Sequence, residues 1–165
     1  MILGMSLASF TTVHVIISLI AIVTGIFVVI AMARGSRTAA WTALFLLTTI
    51  LTSVTGFLFP LSGLTPAVIF GILSLVTLAI ALFALYGRHL AGAWRWIYVV
   101  TAVFALYLNM FVLVVQSFQK LSFLQPLAPT QSEPPFAIAQ IVVLVVFVVL
   151  GWLAVKRFHP ARMAA

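Results

Sequence analysis

His14 stands inside an uncharged run that extends from Met1 to Ala33, MILGMSLASFTTVHVIISLIAIVTGIFVVIAMA. An ionisable side chain in such a setting is rare and is a functional candidate by default, because lipid cannot solvate it. Three chemistries are open to it. An imidazole can ligate a haem iron, hydrogen-bond a quinone carbonyl, or relay protons, here with Glu133, the one acid in the sequence. The structural alternative is a neutral ring that bonds Gln116, Gln140 or a backbone carbonyl and fixes helix packing. That alternative outweighs haem. His89 and His159 fall on the opposite side of the five-helix topology, so a bis-histidine site would need a homodimer or another subunit.

A second polar set lies in the uncharged stretch WTALFLLTTILTSVTGFLFP, Trp41 to Pro60. Thr48, Thr52 and Thr55 recur at i, i+4 and i+7, and Thr49, Ser53 and Gly56 repeat that spacing on the adjacent stripe. On a helix the stripes merge into one polar, small-residue face. Lipid tails cannot satisfy that face, so other helices must cover it. This places the stretch inside a bundle. Serine and threonine in membrane helices commonly bond back to the i−4 carbonyl or to a neighbouring helix, so structural glue outweighs a substrate path.

The elements that position these groups follow from composition and pattern. The chain has 165 residues, 65% apolar and only 5% charged. A soluble domain carries about 25% charged residues and could not cover its surface with so few. The reading is a single all-α integral membrane domain over residues 1–165. Its helices are expected at about 9–33, 41–60, 66–86, 93–118 and 136–155, each apolar over about the 20 residues a bilayer crossing needs. On the first, His14, Ser18, Ala21, Gly25 and Val28 share a face, and Ala21 with Gly25 permits close backbone approach. The fifth is nearly uniform Val, Leu, Ile and Phe apart from Gln140, and is expected at the bundle edge. The N-terminal segment carries no Lys or Arg. A secretory signal would need a positive start, so its apolar run reads as a retained helix.

With five helices, Arg34, Arg37, Arg88, Arg95, Lys156, Arg157 and Arg162 share one side, and only Lys120 lies on the other. By the positive-inside rule the N-terminus is outside and the C-terminus cytoplasmic. The net charge of +7 then reports topology, with no basic patch to bind nucleic acid. Depth can now be assigned. His14 and Ser18, Thr52 and Ser53, Asn109 and Gln116, Gln140, and Glu133 in the loop before it all fall in the outer half. They are the candidate ligand-binding residues.

Several reaction classes lack their residues. Cysteine is absent, which removes disulfides, thiolate metal sites and cysteine nucleophiles. One acid gives no carboxylate pair and no aspartate for a serine triad. There is no glycine-rich nucleotide loop and no HExxH.

The strings WTALFLLTTILTSVTGFLFP at 41–60, HLAGAWRWIYVVTAVFALYLNMFVLVVQSF at 89–118 and LAPTQSEPPF at 127–136, with His14 and Gly25, resemble a group of small polytopic bacterial inner-membrane proteins. The resemblance implies a bacterial inner-membrane setting and brings no activity, ligand or catalytic residue. The functional expectation is a non-catalytic membrane subunit or accessory protein. Its outer-half cavity would hold a partner helix or a lipophilic ligand such as a quinone, a carotenoid or a lipid. Its partners would be the bilayer and other membrane subunits or a second copy. The alternatives are a small transporter or channel with an outer polar vestibule, and a redox subunit with haem or quinone at His14.

Overall fold

A computed structural model describes residues 2–60, 63 and 65–160. Met1, Leu61, Ser62, Leu64 and residues 161–165, Arg162 among them, lie outside the described residues. Among the described residues five α-helices, α1 (Leu7–Ala33), α2 (Ala39–Gly56), α3 (Pro66–Leu82), α4 (Trp94–Lys120) and α5 (Pro134–Arg157), form an all-helical bundle. Each is long and apolar enough to cross a membrane, α3 together with the helical turn that carries it on to Gly87. At about 1.5 Å per residue, the 18 residues of α2 come close to a hydrocarbon core of about 30 Å.

Local chemistry sets the helix ends. The Ser6 hydroxyl accepts from the Ser9 amide at 3.1 Å and caps α1. Thr65 caps α3, whose first residue is Pro66, where the missing N–H costs nothing. Gly35 ends α1 in the left-handed region (φ +80°), and a Cβ there would also lie 3.1 Å from the Arg157 carbonyl oxygen. Both the turn and the close approach require glycine.

Several boundaries differ from the pattern-based expectation: α1 begins at Leu7, α2 at Ala39, α4 runs to Lys120 and α5 to Arg157. α2 stops at Gly56 and not at Pro60. Pro60 lacks the N–H that would bond the Gly56 carbonyl and disfavours helix at Phe59, so Phe57–Phe59 turn away instead. α5 begins at Pro134, two residues before the expected start, because both prolines fit a first turn whose N–H groups have no helical acceptor. α3 continues through a π-helical turn, Phe83–Gly87, closed by the Arg88 amide on the Phe83 carbonyl at 2.8 Å.

Consecutive helices are neighbours, α5 returns against α1, and α1 meets α4 across the middle. The apolar core is concentrated towards the end where the α1–α2 turn, the start of α4 and the end of α5 converge. Val28, Val29, Met32, Phe45, Leu78, Tyr98, Val99, Leu106 and Ala154 are nearly or fully buried there. Arg95 Nη1 donates to the carbonyls of Val155 at 2.8 Å and Phe158 at 2.7 Å, capping the end of α5 from the start of α4. Arg88 lies over Trp94, and Lys156 over Trp152. This is the basic end of the bundle. Lys120 and Glu133 belong to the opposite end. α5 buries only Phe147 and Ala154, as its uniform composition leads one to expect of an edge helix.

Candidate ligand-binding cavity

The hydroxyl face of α2 is satisfied mainly by its own helix. Thr48 donates to Leu44 (2.7 Å), Thr49 to Phe45 (2.7 Å), Thr52 to Thr48 (2.9 Å) and Thr55 to Leu51 (2.6 Å). Two hydroxyls also make short contacts to other helices. The Ser53 and Ser74 oxygens lie 2.9 Å apart between α2 and α3, and His14 Nδ1 lies 2.7 Å from Thr55 Oγ1 between α1 and α2. Every back-bond leaves lone pairs but no proton for a third partner.

The half of the bundle away from the basic end does not close. A cavity of about 670 Å³ lies among α1, α2, α3 and α4, within the roughly 300–1,000 Å³ usual for small-molecule sites. Ile22 and Leu108 are buried at its inner limit. Beneath them Gly25 closes the bundle. A Cβ on it would lie 2.6 Å from Leu106 Cδ1 and 2.7 Å from the Phe45 ring, so α1, α2 and α4 touch there without a gap. The small residues expected to permit close approach do so at this level.

His14 and Ser18 of α1, Thr52 and Ser53 of α2, and Asn109 and Gln116 of α4 all line the cavity. The imidazole is half-buried, lies against Gly56 and meets the Phe59 ring edge-on at 5.2 Å. Phe59 in turn packs on Phe10. Asn109 Nδ2 reaches Thr49 Oγ1 at 3.5 Å, a weak contact. Most of the remaining wall is aliphatic or aromatic.

Glu133 and Gln140 were expected in the same cluster, and neither lines the cavity. The Glu133 carboxylate is held by its own loop, where it accepts from the Thr130 hydroxyl at 2.8 Å, the Thr130 amide at 3.2 Å and the Ser132 amide at 3.1 Å. Desolvation, the largest single influence, pushes its pKa up. The hydrogen bonds from Thr130 and from the backbone of Glu133, Thr130 and Ser132 outweigh that and hold it below the ordinary carboxylate value. A carboxylate tied in this way is not the proton partner of His14. Gln140 ties α5 to α4, with Nε2 donating to the Phe111 carbonyl at 3.2 Å, and its Oε1 is buried without a partner among the described residues. The expected structural partners of His14, Gln116 and Gln140, give way to Thr55.

Sequence reasoning missed Lys120, Ser74, Phe57, Phe59 and Gly71, all of which line the cavity. Lys120 was findable. It follows Gln116 by four and Asn109 by eleven residues and so shares their face, once α4 is carried two residues beyond the expected 118. Gly71 leaves room for the Phe57 ring, which a Cβ would approach to 2.7 Å.

The cavity offers one imidazole, and the other two histidines lie elsewhere: His89 sits in the turn before α4, and His159 follows α5. Among the described residues no three His, Cys, Asp or Glu side chains cluster as metal ligands. The walls suit an apolar body with a small polar part. No protein-family model, no curated protein and no solved structure matches this chain.

Proposed function

We propose that the protein is a multi-pass membrane protein of the bacterial inner membrane that holds a lipophilic ligand in the cavity among α1–α4. Its basic end faces the cytoplasm and its cavity end the outside. It acts as a non-catalytic accessory protein or subunit. The membrane setting is supported by five helices of spanning length and apolarity. The orientation is supported by six described basic residues at one end, Arg34, Arg37, Arg88, Arg95, Lys156 and Arg157, against Lys120 at the other. The bacterial setting follows from the resemblance of the 41–60, 89–118 and 127–136 strings.

One observation carries the ligand reading. A cavity of about 670 Å³ with mainly apolar walls ends in a few polar groups, His14, Asn109 and Gln116, while the other half of the bundle is packed shut. That combination suits retention of an amphipathic molecule better than passage of a solute, because the packed half offers no polar route onward.

The test is purification of the full chain from native membranes in mild detergent, with the absorption spectrum and mass spectrometry of the extract. A lipophilic molecule is expected to accompany the wild type. Ser18→Trp, which fills the cavity, should lose it. Val146→Trp, on the exposed face of α5, should keep it. Extracts that are identical for the wild type and Ser18→Trp would overturn the reading. A Soret band lost in His14→Ala would replace it with a haem site.

A further inference from the structure

The lipophile site proposed above, on which this inference rests, carries its available hydrogen-bond donors on one wall, and that asymmetry bears on the ligand. Hydroxyls around the cavity already donate to backbone carbonyls: Thr11 to Leu7 (2.8 Å), Ser18 to His14 (2.7 Å), Thr52 to Thr48 (2.9 Å) and Ser117 to Leu113 (2.7 Å). They offer a ligand only lone pairs. Apart from the Ser74 hydroxyl, which pairs with Ser53 at 2.9 Å, the remaining donors lie on α4. Asn109 makes only its 3.5 Å contact to Thr49, and the Gln116 amide and the Lys120 ammonium have no hydrogen-bond partner among the described residues. At steps of seven and four they form a ladder from mid-helix towards the end of α4, and all three line the cavity. Among the described residues no acidic side chain lines it. The only acid, Glu133, is held by Thr130 and Ser132.

We propose that the cavity takes an amphiphile with an anionic headgroup. Lys120 and Gln116 hold its carboxylate or phosphate at the mouth, and its hydrocarbon lies against Leu19, Ile22, Leu108 and Val112. An anion leaving water needs donors and a positive charge together, and an ammonium with an amide supplies both. A pure hydrocarbon would leave these donors without acceptors wherever it excludes water. Lys120 also sits at the C-terminus of α4, where its charge favours the helix dipole. That role is served equally by arginine and is indifferent to the ligand's head.

The test uses the full chain in phosphatidylcholine nanodiscs, titrated with the fluorescent fatty acid cis-parinaric acid and with its methyl ester. The signal from Ser18→Trp discs is subtracted to remove partition into lipid. The acid should bind about ten-fold more tightly than the ester, as loss of one charge-assisted hydrogen bond requires. Lys120→Gln should bring the acid to the ester's affinity without changing the ester, and Lys120→Arg should keep the preference. Lysophosphatidic acid should displace the probe, and inorganic phosphate should not, which separates a lipid headgroup from a free anion. Equal binding of acid and ester, unchanged in Lys120→Gln, overturns the anionic headgroup and leaves the lipophile site standing. Failure of both probes to bind overturns both.

Discussion

His14 Nδ1 and Thr55 Oγ1 lie 2.7 Å apart across 41 residues of sequence, and this pair joins α1 to α2 at the wall of the cavity. The Thr55 hydroxyl has one proton, and the Leu51 carbonyl stands 2.6 Å away. With that proton on Leu51, as in the other back-bonded hydroxyls of α2, the hydrogen between His14 and Thr55 must come from the imidazole. Nδ1 is then the protonated nitrogen, and Nε2 carries the lone pair. In this state His14 offers a ligand an acceptor and no donor, which fits a ligand hydroxyl and does not fit a quinone carbonyl.

The same proton bookkeeping sets the expected energetics. Thr55→Val and His14→Ala should each destabilise the bundle by about 1 kcal/mol. Their double-mutant coupling should be about 0.6 kcal/mol, the usual size for a hydrogen bond between membrane helices. Reversible unfolding of the four proteins in one detergent measures it. Additive losses would mean that the contact contributes nothing.

Gly25 marks where the cavity ends. A methyl group there would meet Leu106 Cδ1 at 2.6 Å and the Phe45 ring at 2.7 Å, and packed interiors yield little to such overlap. Gly25→Ala should cost about 1–3 kcal/mol. The double variant with Leu106→Ala should lose less than the two single losses added together, because the added methyl takes up space the leucine vacates. Thermal unfolding of the two single variants and the double variant decides it. Strict additivity would show that the helices separate instead of clashing.

Much of this arrangement is legible in the chain because it depends on one helix at a time. The Ala21–Gly25 face, the back-bonding Thr48–Thr55 stripe and the featureless α5 can each be read from spacing. What could not be read depends on two helices at once. His14 is within one turn of several polar levels on other helices, and only the tilt and rotation of α1 against α2 select Thr55 over Gln116 or Gln140. Glu133 and His14 looked adjacent by depth, yet two residues at equal depth can face different ways. Glu133 is also captured by Thr130 and Ser132, its immediate neighbours, which depth alone does not reveal. Lys120 was lost to a boundary placed two residues early, because a lysine after an apolar run looks like the end of a helix.

Gln140 gives a prediction of opposite sign to the usual one for a buried polar residue. Its Nε2 makes one bond to a carbonyl, at 3.2 Å, while its Oε1 is buried with no donor among the described residues. The bond stabilises by about 1 kcal/mol, and an unsatisfied acceptor costs about 1–3 kcal/mol. Gln140→Leu removes both, so stability should be unchanged or rise by up to about 2 kcal/mol. A drop in Tm corresponding to more than about 1 kcal/mol would show that Oε1 has a partner in the working protein.

Glu133 supplies the pH dependence of the loop that leads into α5. The hydrogen bonds from Thr130 and Ser132 favour the carboxylate and lower its pKa below 4.5 in the folded chain. A group whose folded pKa is depressed contributes order that is complete above its unfolded value and is lost as pH falls through the folded one. The Thr130–Glu133 turn should therefore stay intact from neutral pH down to about 4.5 and loosen only below it. The backbone amide resonances of Thr130 and Ser132 report this directly, since both amides donate to the carboxylate. Their shifts should titrate together with a midpoint under 4.5, and Glu133→Gln should flatten both curves. A midpoint above that value would mean that desolvation outweighs the hydrogen bonds. The carboxyl would then be protonated more readily than a free one and available to a neighbour, which would reopen the proton-relay role that the present geometry denies it.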